Sequence, residues 1–200
     1  MGFPIQDGTG DGFEAKVDKD ARLHTQAVSR TELTQAILQG DGYNLSTGSI
    51  TLTSTTESTL GYVKNNGDFP LVFSEILIII NPSTGGSGSG IIKIIKNPTT
   101  GTIITNADTN VTASNRNFGS SRTIDGSIYK GGEALTVTDG SNFAISSRDA
   151  DFSGVLSFDA APIVLEKGNS LAVTFTPAGG NTSQNIVLAG TAFVETNEIN

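Results

Sequence analysis

The sequence predicts an all-β protein, a jelly-roll-like antiparallel β-sandwich preceded by an extended N-terminal arm. Three observations predict it. From Tyr43 onward, short runs rich in Val, Ile, Thr and Phe recur between clusters of Gly, Pro, Asn and Asp, the pattern of many short strands joined by tight turns. No long run of helical period appears, and strands do not alternate with helices as a parallel sheet requires. Finally, Leu171, Val173 and Phe175 alternate with Ala172, Thr174 and Thr176, as expected of a strand with one buried and one wet face.

Along the chain, Met1 to Gly12 carries Asp7-Gly-Thr-Gly-Asp-Gly12 and no periodicity, the reading of an arm. Phe13 to Ser29 alternates loosely through Ala15, Val17, Leu23, Ala27 and Val28 and reads as extended chain or an edge strand. Ser29-Arg-Thr-Glu32 resembles a capping box ahead of Leu33, Ala36 and Ile37, so a short helical turn fits there, ended by Gly40-Asp-Gly42. These segments divide the chain into an arm, residues 1–42, and a sandwich, residues 43–200. Strands are expected at 49–53, 58–65, 71–80, 90–96, 101–105, 110–113, 142–146, 154–158, 163–165, 170–176 and 184–194. Turn signals stand between them, among them Asn65-Asn-Gly67, Asn81-Pro82, Asn97-Pro98, Thr138-Asp-Gly140 and Pro177-Ala-Gly-Gly180. Ser114 to Asp139 shows little pattern, and a stretch that long is expected to serve an interface or a ligand. Phe118 and Tyr129 are its candidate ligand-contacting residues.

The 71–80 strand is apolar on both faces. Strict alternation places Leu71, Phe73, Leu77 and Ile79 on one side and Val72, Ile76, Ile78 and Ile80 on the other. The last strand repeats this, with Ile186, Leu188 and Val194 against Val187 and Phe193. A two-layer sandwich covers one face of each sheet, so the second face needs the arm or another subunit. Oligomerisation is the expectation, with Ile76, Ile78 and Ile80 as candidate interface residues together with Phe3, Ile5 and Phe13 of the arm.

Composition excludes several classes. Twenty acidic and twelve basic residues leave a net charge of −8 with no basic cluster, which repels phosphate backbones and argues against nucleic acid. There is no cysteine, hence neither disulfides nor thiolate metal sites. The segment Met1-Gly-Phe-Pro-Ile-Gln6 lacks the charge and apolar stretch of a signal peptide, and Gln6 stands where a myristoylation motif wants Ser or Thr. The longest apolar run, Ile76 to Ile80, is far short of a membrane span. No membrane partner is expected.

Residues capable of chemistry have plainer readings. His24 is the single histidine, with no second His or Cys for zinc and no Gly-x-Ser-x-Gly elbow elsewhere. It reads as a polar surface residue. Asp7, Asp11 and Glu14 carry oxygen ligands suited to Ca²⁺ at a spacing that is not an EF-hand loop. Asp149 and Asp151, preceded by Arg148, carry the carboxylates a glycosidase pair needs, but no aromatic platform accompanies them and Trp is absent, so they read as a solvated turn with Arg148 screening the charge. Gly8-Thr-Gly-Asp-Gly12 fails the dinucleotide fingerprint at Phe13. Lys93 and Lys96 read as gatekeepers interrupting an apolar window that invites edge pairing. No catalytic, metal or cofactor-binding residue is expected.

Several blocks resemble a family of virion structural proteins encoded by tailed phages. They are Gly67-Asp-Phe-Pro-Leu-Val-Phe73, Asn81-Pro-Ser-Thr-Gly-Gly86, Asn97-Pro-Thr-Thr-Gly101, Asn115-Arg-Asn-Phe-Gly-Ser-Ser121 with Tyr129-Lys-Gly-Gly-Glu133, and Asn181-Thr-Ser-Gln-Asn185. The resemblance runs from about Ala15 to Val194 and rests on turns and loops, so it speaks to fold before activity. It implies a non-enzymatic virion role such as capsid decoration, a head fibre, or a neck or tail accessory. The partners would be the major capsid protein or other virion proteins, and the location a virion assembled in the host cytoplasm. A homotrimer is the form it favours, whereas the residues alone allow a dimer equally. The alternative is a receptor- or carbohydrate-binding module of a phage fibre, supported by Phe118 and Tyr129 and opposed by an aromatic content of 6%.

Overall fold

The computed structural model of the chain describes residues 31–105, 111, 113–157 and 162–196. The candidate residues Phe3, Ile5, Asp7, Asp11, Phe13, Glu14 and His24 lie outside them. Glu32–Thr196 forms one compact unit. It opens with helix α1 (Glu32–Gln39), followed by strands β1 (Gly42–Leu52), β2 (Ser58–Asn65), β3 (Leu71–Ile80) and β4 (Ser89–Lys96). A single helical turn, α2 (Thr102–Thr105), precedes β5 (Ser114–Asn115), β6 (Gly126–Lys130) and β7 (Ser141–Asp149). The unit closes with β8 (Gly154–Ser157), β9 (Ile163–Leu165), β10 (Ser170–Thr176) and β11 (Gln184–Val194).

The strands form two antiparallel sheets packed as a sandwich. One runs β5-β1-β11-β3-β8 with β9 also on β3; the other runs β6-β2-β10-β4-β7. Strands distant in sequence pair in a nested order, β1 with β11, β2 with β10, β3 with β8 and β4 with β7, so each outer pair encloses the next. That nesting is the jelly roll. Alternation fills the interior: Ile50, Leu52, Leu60, Phe73, Ile92, Val173, Phe175 and Ile186 form one apolar cluster.

The helical turn expected near Leu33 is a helix of eight residues. Thr31 occupies its N-cap position and Glu32 its first turn, where a carboxylate suits the helix dipole. Gly40, at φ +84°, ends it. The Gly40 amide donates to Ile37 O at 3.1 Å and the Asp41 amide to Ala36 O at 2.7 Å, the paired closure of a left-handed helix end. Leu33 and Ala36 pack on Val72 and Phe193.

That packing accounts for part of the two-sided apolar pattern, and a bulge accounts for the rest. Phe73 pairs with Ala192 and Glu75 with Thr191, leaving Ser74 as the extra residue. An extra residue reverses the facing of everything beyond it. Leu71 and Phe73 therefore share the core with Ile76, Ile78 and Ile80, which are 3%, 0% and 2% exposed. Those three isoleucines are not interface residues. Each adds on the order of 2 kcal/mol by burial inside the sandwich. The outer face keeps Leu77, half-buried, and Ile79, exposed.

The wet face expected of β10 is also corrected. Ala172 is 0% and Thr174 2% exposed, because chain from 97–105 and 131–139 lies over the outer face of this sheet. The 101–105 segment, expected as a strand, is instead α2, whose Ile103 packs with Tyr62, Ile95 and Ala172. Gly131 is obligatory here: a Cβ would stand 1.7 Å from Thr59 O, where the Gly131 amide donates to Leu60 O at 2.8 Å.

Candidate functional site

Polar side chains in this unit serve mainly to tie loops to the sandwich. Asn65 is buried; its Nδ2 donates to Phe69 O at 2.9 Å and Leu165 O at 2.8 Å, and its Oδ1 accepts from the Gly67 amide. Asn181 Nδ2 donates to Leu52 O and Ser54 O, both at 3.0 Å. Asn115 Nδ2 donates to Gly40 O and its Oδ1 accepts from the Asn117 amide. Buried Asp41 is paired with Arg122. Two exposed carboxylates bind loops in the same way. The Ser54 and Thr53 hydroxyls and the Thr53 amide hold the Glu133 carboxyl down to about 2. The Thr99 hydroxyl and the Thr100 amide do the same for Asp139, also to about 2.

Lys93 belongs with these groups and is not an edge gatekeeper. Its strand β4 lies between β10 and β7, and its Nζ meets Glu57 Oε2 at 2.7 Å. Partial burial works to raise the Glu57 carboxyl, but hydrogen bonds from Lys93 and Thr174 outweigh it and leave the group lowered.

Asp149 and Asp151 do not share a strand face. Asp149 ends β7 and accepts a hydrogen bond from Ser89 Oγ at 3.0 Å, while Asp151 lies in the turn beyond. Arg148, expected to screen them, puts its guanidinium 5.5 Å from the Phe152 ring centroid and donates to Ser147 O. Among the described residues no group of three or more His, Asp and Glu gathers in a way that would hold a metal.

Phe118 and Tyr129 lie on separate elements, a turn and a strand. Phe118 follows β5 and is 100% exposed. Tyr129 is on β6, stacked on Tyr62 with ring centroids 5.8 Å apart. Beside this pair lies a cavity of about 270 Å³ whose lining includes Lys64, Asn66, Thr99 and Ser127. The segment containing both residues was expected to lack pattern; it supplies β6, which pairs Gly126–Lys130 with Gly61–Asn65.

Several large apolar side chains nevertheless stand exposed on the unit. Phe69, Ile79, Ile91, Phe143, Ile145, Val155 and Val164 are all exposed. Ile79 has Val155 beside it on β8 and Val187 on β11. Ile91 and Ile145 lie on neighbouring strands, β4 and β7. Sequence alternation missed this surface because the bulge at Ser74 exchanges the faces of β3. Phe143, the extra residue between Asn142↔Ile95 and Ala144↔Ile94, is a second bulge that the pattern conceals.

No protein-family model and no curated protein matches the chain. Among solved structures it is similar to a chain in the structure of deformed wing virus carrying the GFP gene, with TM-score 0.33, 9% identity and 92% of each chain covered. A structure of deformed wing virus, a honeybee pathogen, gives TM-score 0.30 and 9% identity over 92% of this chain and 93% of that one. The N-terminal endo-1,4-β-D-xylanase 10B of Clostridium thermocellum complexed with xylohexaose gives TM-score 0.28 and 10% identity, over 80% of this chain and 27% of that one.

Proposed function

We propose that this chain is a non-enzymatic structural subunit of a virion, of the capsid-decoration or cement type, which binds copies of itself and other virion proteins. One observation carries the reading. The polar groups that chemistry would need are committed to loops, as with Asn65, Asn181, Asp41, Glu133 and Asp139, while apolar side chains such as Ile79, Ile91, Ile145 and Val155 stand exposed on strands. A sandwich of this kind is suited to contact. The resemblance of its turn and loop blocks to phage virion proteins supports the same role; that resemblance favours a homotrimer, whereas the residues themselves equally allow a dimer. The test is to label purified particles of the encoding virus with antibody against this chain. Labelling of intact particles is expected; label confined to the soluble fraction of infected cells would refute the role.

A second reading, a receptor- or carbohydrate-binding module, rests on the cavity beside Tyr129, whose walls carry hydroxyl, amide and ammonium groups. A glycan array probed with the purified chain separates the two. Binding that Tyr129→Ala abolishes would favour the module.

A further inference from the structure

The four sheet edges are not alike. A free strand edge presents unpaired amides and carbonyls, and proteins blunt such edges by shortening, covering or charging them. In the first sheet, β5 has two residues, and the opposite edge is divided between β8, with four, and β9, with three. In the second sheet, β6 is covered in part by the neighbouring chain, where the Val111 amide donates to Ile128 O at 2.8 Å. The remaining edge is β7, nine residues long and paired on one side, with β4, among the described residues. It contains no Pro, Lys or Glu, and from Ser141 to Ser147 it has no charge at all.

Its side chains point to the occupant. Ile145 stands opposite Lys93 and is 61% exposed; Ile91, opposite Ser147, is its diagonal neighbour and is exposed on the same outer face. Lys93 is neutralised by Glu57, and the Arg148 and Asp149 charges at the strand end offset one another. The edge is thus a place where two chains of net charge −8 can meet without juxtaposing like charges. We propose that β7 pairs antiparallel with β7 of a second copy across a two-fold axis at Ile145. The pairing sets Ile145 opposite its own counterpart, with Asn142 facing Arg148 and Ser141 facing Asp149. Ile91 and Ile145 of the two copies then form one apolar strip across a continuous ten-stranded sheet, in which diagonal as well as direct neighbours attract. The bulge at Phe143 keeps the regular ladder short. Such a seam is at the small end of specific interfaces, so the free dimer forms in the range of tens of micromolar and is strengthened where several copies share one particle.

The inference rests on the structural-subunit reading and fails separately from it. The chain has no cysteine, so single thiols can be introduced cleanly. Residues directly opposite on antiparallel strands have Cα separations within the range a disulfide spans. Ile145→Cys is therefore expected to oxidise to a covalent dimer on a non-reducing gel, while Val164→Cys, also exposed but on the other sheet, stays monomeric. Ile145→Glu, which sets two carboxylates against each other across the axis while facing Lys93 within its own chain, is expected to abolish the dimer in sedimentation equilibrium without lowering the melting temperature. A trimer, a monomer at every concentration, or wild-type dimers that Ile145→Cys does not cross-link would each overturn the edge pairing. So would an Ile145→Cys thiol that is slow to alkylate in a monomer, since another segment of the same chain would then hold the edge. Labelled particles together with any of these results would leave the virion role standing without this interface. A cross-linked dimer absent from particles would do the reverse.

Discussion

The two flanks of the five-stranded sheet are built oppositely. On the β6 side, Tyr129 stacks on Tyr62, Ile103 closes over Tyr62 and Ala172, and the Glu133 carboxylate ties the covering loop down. On the β7 side, Ile91 and Ile145 face outward with no such cover among the described residues. Both flanks carry apolar side chains on their outer face. One is completed by its own chain and so contributes to stability. The other is left for a neighbour and so contributes to assembly. Substitutions on the first should change melting temperature, and those on the second association.

The largest effect is expected at Gly131. A methyl group there meets Thr59 O and forces the cover off β2, so Gly131→Ala should cost about 2–4 kcal/mol in denaturant unfolding, the range of severe overpacking. A cost below 1 kcal/mol would show that the cover is not held by this contact.

Acid gives the next effect. The Glu133 and Asp139 carboxyls are depressed in the folded state, so their contribution is complete above their ordinary values of 4.5 and 3.8 and is lost as pH falls toward about 2. Hydrogen-exchange protection, corrected for the intrinsic rate at each pH, should therefore fall in segments 97–105 and 131–139 between about pH 4.5 and 2, ahead of the β3 and β11 amides. A uniform loss of protection would mean that the loops and the sandwich open together. Smallest is Ala134, held at φ 63°, a conformation unfavourable for any residue with a Cβ. Ala134→Gly should stabilise by about 0.5 kcal/mol, the strain relief being partly offset by glycine's greater chain entropy; a loss of stability would show that the methyl group packs.

These contrasts explain what could be read from the sequence. Strands 58–65, 71–80, 170–176 and 184–194 were legible residue for residue, because burial imposes composition on central strands, and the edge strand 163–165 was legible from its apolar run Ile163-Val-Leu165. β1 begins at Gly42, seven residues before its expected start, through Asn44, Ser46, Thr47 and Gly48. Its ladder crosses a bulge where Thr47 Oγ1 accepts from the Leu188 amide and donates to Leu188 O, so a hydroxyl does work that no apolar pattern records. β6 was invisible because every residue in it is half-buried. Ile103 and Ile104 imitated a strand while forming a helical turn. The outward apolar surface was legible in kind but not in residues, since Ser74 as an extra residue is indistinguishable in sequence from Ser74 in register.

Sedimentation equilibrium of the purified full-length chain, from micromolar to hundreds of micromolar, tests most directly whether this is a unit completed by neighbours. A reversible rise from the 20.7 kDa chain mass toward twice that value is the predicted result. A single monomeric species across the whole range would contradict it.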